Sequence, residues 1–181
     1  MLTSNYHTIR KDLKRGDLVL YHNGGIYGGI MGKLIQFFDD AHFTHIGIVD
    51  KFSDRVISLD MWQTGMEVEP ISRRMKLWKE FVVLRPNTDD GDIDKAIDDL
   101  YRNVWERDVK YDKGTLLRIA IKKKTGIDLT KLGRADRYIC SELAQHFTGN
   151  LGIKCYESLD VITPQDFIRH IDLDEMEFVV H

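Results

Sequence analysis

Cys140 lies in the stretch Asp136-Arg-Tyr-Ile-Cys-Ser-Glu-Leu-Ala-Gln-His-Phe147, between an apolar pair and a run that reads as the start of a helix. A thiol at a helix N-terminus feels unpaired backbone N–H groups and the positive dipole end. Both favour thiolate, the form that attacks a carbonyl carbon. Free cysteine also packs readily as a small buried hydrophobe, so position alone does not make a nucleophile. Thiol catalysis needs a base within hydrogen-bond reach and a third group to orient that base. His45 and Asp60 are the candidates, with Asp112 as the rival carboxylate. Cys155 has no comparable company and reads as structural.

The elements that must bring these residues together can be read from periodicity. Thr44-His-Ile-Gly-Ile-Val49 alternates as a strand does, so His45, Gly47 and Val49 share one face. Arg55-Val-Ile-Ser-Leu-Asp60 follows after Ser53-Asp54, a turn pair that predicts an antiparallel hairpin with His45 and Asp60 near the same end. Gly47 beside His45 leaves room for a close neighbour. Further strands are predicted at Leu18–Tyr21, Glu67–Ile71, Phe81–Pro86 and Glu177–Val180. Helices are predicted over Asp92–Arg107, over Cys140–Phe147 with Gly149 to end it, and from Thr163-Pro-Gln-Asp-Phe167. A glycine-rich bend over residues 22–29 leads into an amphipathic pattern at Ile30, Met31, Leu34, Ile35 and Phe38.

Other polar residues invite a second reading. His42 and His45 form an HxxH pair, but an offset of three on a strand turns the two rings to opposite faces. No third ligand stands at a characteristic spacing, so no metal and no other cofactor is expected. His22 reads as an exposed loop residue beside the glycines. Lys122-Lys-Lys124, after the apolar Leu116, Leu117, Ile119 and Ile121, reads as a solvated helix end. The same run could meet an acidic substrate or a membrane surface, so peripheral lipid contact stays open.

Composition narrows the field. The chain has 181 residues, 43% of them apolar and 30% charged, with a formal net charge of −3. Those values suit one globular domain over residues 1–181 and give no basic face for nucleic acid. No apolar run approaches the length of a membrane span, and the N-terminus lacks the apolar core of a secretory signal, so a cytoplasmic protein is expected. Two cysteines are too few for a disulfide framework.

Arg15-Gly-Asp-Leu-Val-Leu20, Thr44-His-Ile-Gly-Ile-Val49, Ser58-Leu-Asp60, Lys110-Tyr-Asp112, Tyr138-Ile-Cys-Ser-Glu-Leu143 and Ile162-Thr-Pro-Gln-Asp166 occur in that order. The series resembles the YiiX-like permuted papain-like hydrolases, circularly permuted relatives of NlpC-type cell-wall peptidases. The resemblance runs from about Gly16 to Asp166. It implies an α+β, circularly permuted papain-like fold, with a small antiparallel sheet packed against helices. It also implies Cys140 as nucleophile, His45 as general base, Asp60 as the orienting carboxylate where relatives often have glutamate, and Tyr111 as a donor to the oxyanion. The implied activity is a cysteine peptidase or amidase that cleaves an amide through a thioester. Its substrate would be a cell-wall peptide, an amino-acid amide or an acyl-amide. The alternatives are a lipid acyl hydrolase or acyltransferase using the same cysteine, and a catalytically silent module that binds a peptide or acyl ligand. The connection over residues 113–137 is longer than the usual pattern.

Overall fold

The computed structural model describes residues 6–22, 42–52, 55–77, 80–127, 137–153, 163–169 and 174–179. The glycine bend, the amphipathic pattern at 30–38 and Cys155 lie outside them. A short helix α1 (Tyr6–Ile9) precedes β1 (Leu18–His22), β2 (Phe43–Phe52), β3 (Arg55–Trp62) and β4 (Gly65–Pro70). Then follow α2 (Ile71–Leu77), β5 (Glu80–Pro86) and α3 (Asp90–Leu100), whose C-terminus widens into a π-helical turn at Tyr101–Trp105. The remaining elements are β6 (Lys110–Tyr111), α4 (Lys113–Thr125), β7 (Arg137–Tyr138), α5 (Cys140–Asn150), α6 (Pro164–Arg169) and β8 (Met176–Phe178).

Six strands form one antiparallel sheet in the order β4-β3-β2-β1-β5-β8, while β6 and β7 make a separate parallel pair. The expected hairpin is present: β2 and β3 pair with Phe52 opposite Arg55 and Ile48 opposite Leu59. Alternation along the strands separates two apolar clusters. Leu18, Leu20, Ile46, Ile48 and Leu59 join Ile97, Leu100, Leu143 and Phe147 from α3 and α5. Val19, Tyr21, Val49 and Val83 join Ile9 of α1 and Ile71 and Met75 of α2. The helix bearing Cys140 packs on β2 and β3, the strands bearing His45 and Asp60.

Four local expectations are corrected. The strand predicted over Glu67–Ile71 ends at Pro70, and Ile71 opens α2, burying Ile71 and Met75 one helical turn apart. The helix predicted over Asp92–Arg107 is α-helical only to Leu100, after which the N–H of Glu106 donates to the carbonyl of Tyr101, five residues back. Gly149 lies inside α5, and Gly152, at φ +76°, supplies the left-handed residue just beyond its end. The last strand is Met176–Phe178, paired with β5. Among the described residues no helix is long and apolar enough to cross a membrane.

Candidate active site

The hairpin brings His45 and Asp60 together, with His45 Nε2 at 2.7 Å from Asp60 Oδ1. Both are buried, at 4% and 0% exposure. Gly47 makes this approach possible: a Cβ there would stand 2.6 Å from Asp60 Oδ1 and 2.7 Å from Ser58 Oγ. The space predicted beside Gly47 is therefore filled by the carboxylate that holds the histidine.

Asp60 keeps its charge in a dry setting because cations and donors surround it. Arg74 of α2 places Nε 3.3 Å from Asp60 Oδ2 and is itself held by Glu67, at 2.5 Å, and by Glu69, at 3.5 Å. Burial disfavours the carboxylate, but the His45 hydrogen bond, the charges of His45 and Arg74 and the Ser58 hydroxyl together hold Asp60 below its usual range. The rival carboxylate Asp112 caps α4, accepting from the N–H groups of Gly114 and Thr115 at 2.8 and 3.0 Å and from Arg118 at 2.9 Å.

Cys140, a free thiol that is 4% exposed, opens α5. Asp60 engages His45 Nε2, which leaves Nδ1 for the hydrogen bond between His45 and Cys140. Burial alone would lower the His45 pKa. Negative charge on Cys140, the hydrogen bonds to Asp60 and Cys140, and the Asp60 charge outweigh burial and push it up to about 9. Trp62 sets its ring edge-to-face with His45, centroids 5.3 Å apart, and Arg74 lies 5.0 Å over the Trp62 ring. The indole thus walls off the pair from one side.

Tyr111 reaches the same place through the β6–β7 pair, in which Tyr111 stands opposite Tyr138, two residues before Cys140. Burial raises its pKa, and the charges of Cys140, Glu142 and Asp112 raise it further, so its hydroxyl stays protonated. Glu142 accepts the Ile139 N–H at 2.7 Å, fixing the backbone that leads into Cys140. Burial, reinforced by the Asp112 charge, pushes Glu142 up to about 7.

All four predicted site residues thus converge. Sequence reading missed Arg74, Trp62, Ser58 and Glu142. A signal for Arg74 was present in the alternating Glu67-Val-Glu69 ahead of Arg73-Arg74, because register places Glu67 opposite Asp60 and Glu69 opposite Ser58. His42 points elsewhere, stacking its ring on His22 with centroids 3.7 Å apart. His22, expected in a loop, is the last residue of β1.

Fold and site together define an α+β protein with a buried Cys–His–Asp cluster where a helix N-terminus meets a sheet. A crystal structure described as metalloprotein yiiX from Escherichia coli O157:H7, DUF1105, matches it at a TM-score of 0.57. The match covers 92% of this chain and 88% of that one at 16% sequence identity, a likeness that shows a YiiX-like fold. No family model matches the chain, and no curated protein matches it.

Proposed function

We propose that this chain is a cysteine-dependent hydrolase of the permuted papain-like, NlpC-type class, cleaving an amide bond through a thioester on Cys140. The observation that carries the reading is the imidazole of His45 held between Asp60 and Cys140, all three buried where the start of α5 meets the sheet. A buried imidazole oriented by a carboxylate, beside a cysteine at a helix start, is the arrangement that activates a thiol nucleophile.

In this mechanism the thiolate attacks the substrate carbonyl carbon and the C=O electron pair moves onto oxygen. The oxyanion accepts hydrogen bonds from backbone N–H groups at the start of α5 and from the Tyr111 hydroxyl. Collapse of the tetrahedral intermediate breaks the C–N bond as His45 gives its Nδ1 proton to the leaving amine. The neutral imidazole then takes a proton from water, whose oxygen attacks the thioester and releases the acid and the thiolate. Asp60 holds the ring orientation and Nε2 proton through both halves.

A lipid acyl substrate is the second reading. It is favoured by two exposed apolar side chains on the segment that follows Tyr111, Leu117 of α4 and Ile127 just beyond its C-terminus, 60% and 58% exposed.

The test is the pH-dependent alkylation of Cys140 by iodoacetamide, read by mass spectrometry in wild type and His45→Ala with Cys155 as internal control. Fast labelling at neutral pH that collapses in the variant supports the dyad and justifies screening amides and esters. Equal, slow labelling of both cysteines in wild type rejects the activated thiolate and favours a silent binding module.

A further inference from the structure

A second constellation of ligand-type side chains lies at the end of the sheet where β5, β1 and β2 run side by side. His22 closes β1 and is directly opposite Glu80, the first residue of β5; His42 immediately precedes β2. One ligand atom from each of His22, His42 and Glu80 falls within 4.8 Å of the others. We propose that these three side chains form a binding site for a divalent transition-metal ion of the zinc type, separate from the Cys140 centre.

Three features argue for a metal rather than a chance cluster of polar groups. The first is the donor set, two imidazoles and one carboxylate, which suits a borderline cation and leaves a coordination position open. The second is the tautomer. His22 Nδ1 is hydrogen-bonded to the backbone carbonyl of His42, and a carbonyl can only accept, so Nδ1 carries the proton and Nε2 is the lone-pair nitrogen. A ring N–H anchored on a carbonyl is the outer-sphere support that metal-ligating histidines use.

The third feature is spacing. His42 Nε2 and Glu80 Oε2 are 3.4 Å apart. Metal–ligand bonds of about 2.0–2.1 Å at a tetrahedral angle separate two donors by about 3.4 Å. The widest gap allowed by the 4.8 Å limit has to close by roughly 1.4 Å, which the His42 ring supplies by turning out of its stack on the anchored His22. The side chains of His42 and Glu80 are 45% and 41% exposed, so little packing opposes that rotation. The backbone is already fixed, because the N–H groups of His42 and Phe43 both donate to Gln165 Oε1, at 2.8 and 3.1 Å.

The experiment titrates the full chain with Zn²⁺ against a chromophoric chelator and, separately, with Co²⁺ while recording the visible spectrum. Wild type, His22→Ala, Glu80→Gln and Cys140→Ser are compared. The expected result is one bound equivalent in wild type, with visible Co²⁺ bands of a four- or five-coordinate site and no sulfur charge-transfer band. His22→Ala and Glu80→Gln should each bind at least about ten-fold more weakly, and Cys140→Ser should bind as wild type does. Undiminished affinity in both His22→Ala and Glu80→Gln would overturn the site, as would loss of binding in Cys140→Ser. Glu80→Gln changes one half-exposed atom, so a folding defect would not mimic loss of the ligand. Because Cys140 is left untouched in two of the variants, failure here leaves the hydrolase reading standing, and the reverse also holds.

Discussion

His42 and His45 sit three residues apart, one just before β2 and one within it, yet their surroundings give them different chemistry. His45 is buried against Asp60, Trp62 and Cys140, so every proton on its ring is assigned to a partner. His42 is half exposed, stacked on His22 and 3.4 Å from Glu80, so its ring can turn toward a ligand. Residue type is the same in both places. What differs is desolvation, which strengthens each charge interaction around His45 and makes its protonation depend on named neighbours. Removing those neighbours one at a time should carry His45 back toward an ordinary histidine.

The largest effect is expected from the dyad itself. Cys140→Ser should lower turnover of any amide or ester the wild type cleaves by at least about 10³-fold with little change in melting temperature, since the substitution is nearly isosteric. Unaltered turnover would remove Cys140 from the mechanism.

Gly47→Ala comes next, and it breaks the comparison through sterics. The added methyl would have to displace both the Asp60 carboxylate and the Ser58 hydroxyl. Overpacking of this kind costs about 1–3 kcal/mol, and the His45–Asp60 hydrogen bond should be lost with it. Chemical denaturation should show the destabilisation, and Cys140 alkylation at neutral pH should slow. Wild-type stability and labelling would mean that the two strands can shift apart without consequence.

Much of this site was legible in the sequence because its geometry is local. The β2–β3 register, with Phe52 opposite Arg55 and Ile48 opposite Leu59, leaves Gly47 facing Asp60, so that the Asp60 carboxylate reaches past it to His45 two residues away on the same face. The α5 start was readable for the same reason, from the one-sided apolar spacing of Leu143, Ala144 and Phe147 that follows Cys140. Arg74 was not, because its place depends on where β4 stops and α2 begins, and Pro70 is compatible with the end of a strand as well as the entry to a helix. Tyr111 was recognised by resemblance but could not be located, since a parallel pairing across residues 113–137 brings it to Tyr138. Parallel pairs carry no turn signal at all. The His22–His42–Glu80 cluster was invisible for a related reason: Glu80 is far away in sequence and reaches His22 only through the β1–β5 register.

Asp60→Asn sharpens the comparison by electrostatics instead of shape. Asp60 raises the His45 pKa by hydrogen bond and by charge. Removing that charge should move the alkaline limb of the pH–turnover profile, where His45 loses the proton it gives the leaving amine, below its wild-type position near pH 9. The rate should fall by about 10–100-fold, less than on losing Cys140, if Asp60 only orients and stabilises the imidazolium. An alkaline limb that stays in place would mean that Cys140 alone sets the proton affinity of His45.

The smallest expected effect is at Glu142, where burial acts with the opposite sign. Asp60 is buried with a cation and stays ionised, whereas Glu142 is buried near Asp112, with the Ile139 N–H and Arg118 only partly compensating, and its pKa rises from 4.5 to about 7. The folded state therefore keeps a proton that the unfolded chain gives up first. Stability from this group should decline as pH rises from about 4.5 to about 7 and level off above that. The decline should be on the order of 1–3 kcal/mol. Glu142→Gln keeps an oxygen for the Ile139 N–H but cannot ionise, so urea midpoints at pH 5 and pH 8 should differ less in the variant than in wild type. An equal difference in both would place the pH dependence elsewhere. A variant that also lost Cys140 reactivity would show that the charge on Glu142, and not only its hydrogen bond to the residue before Cys140, tunes the nucleophile.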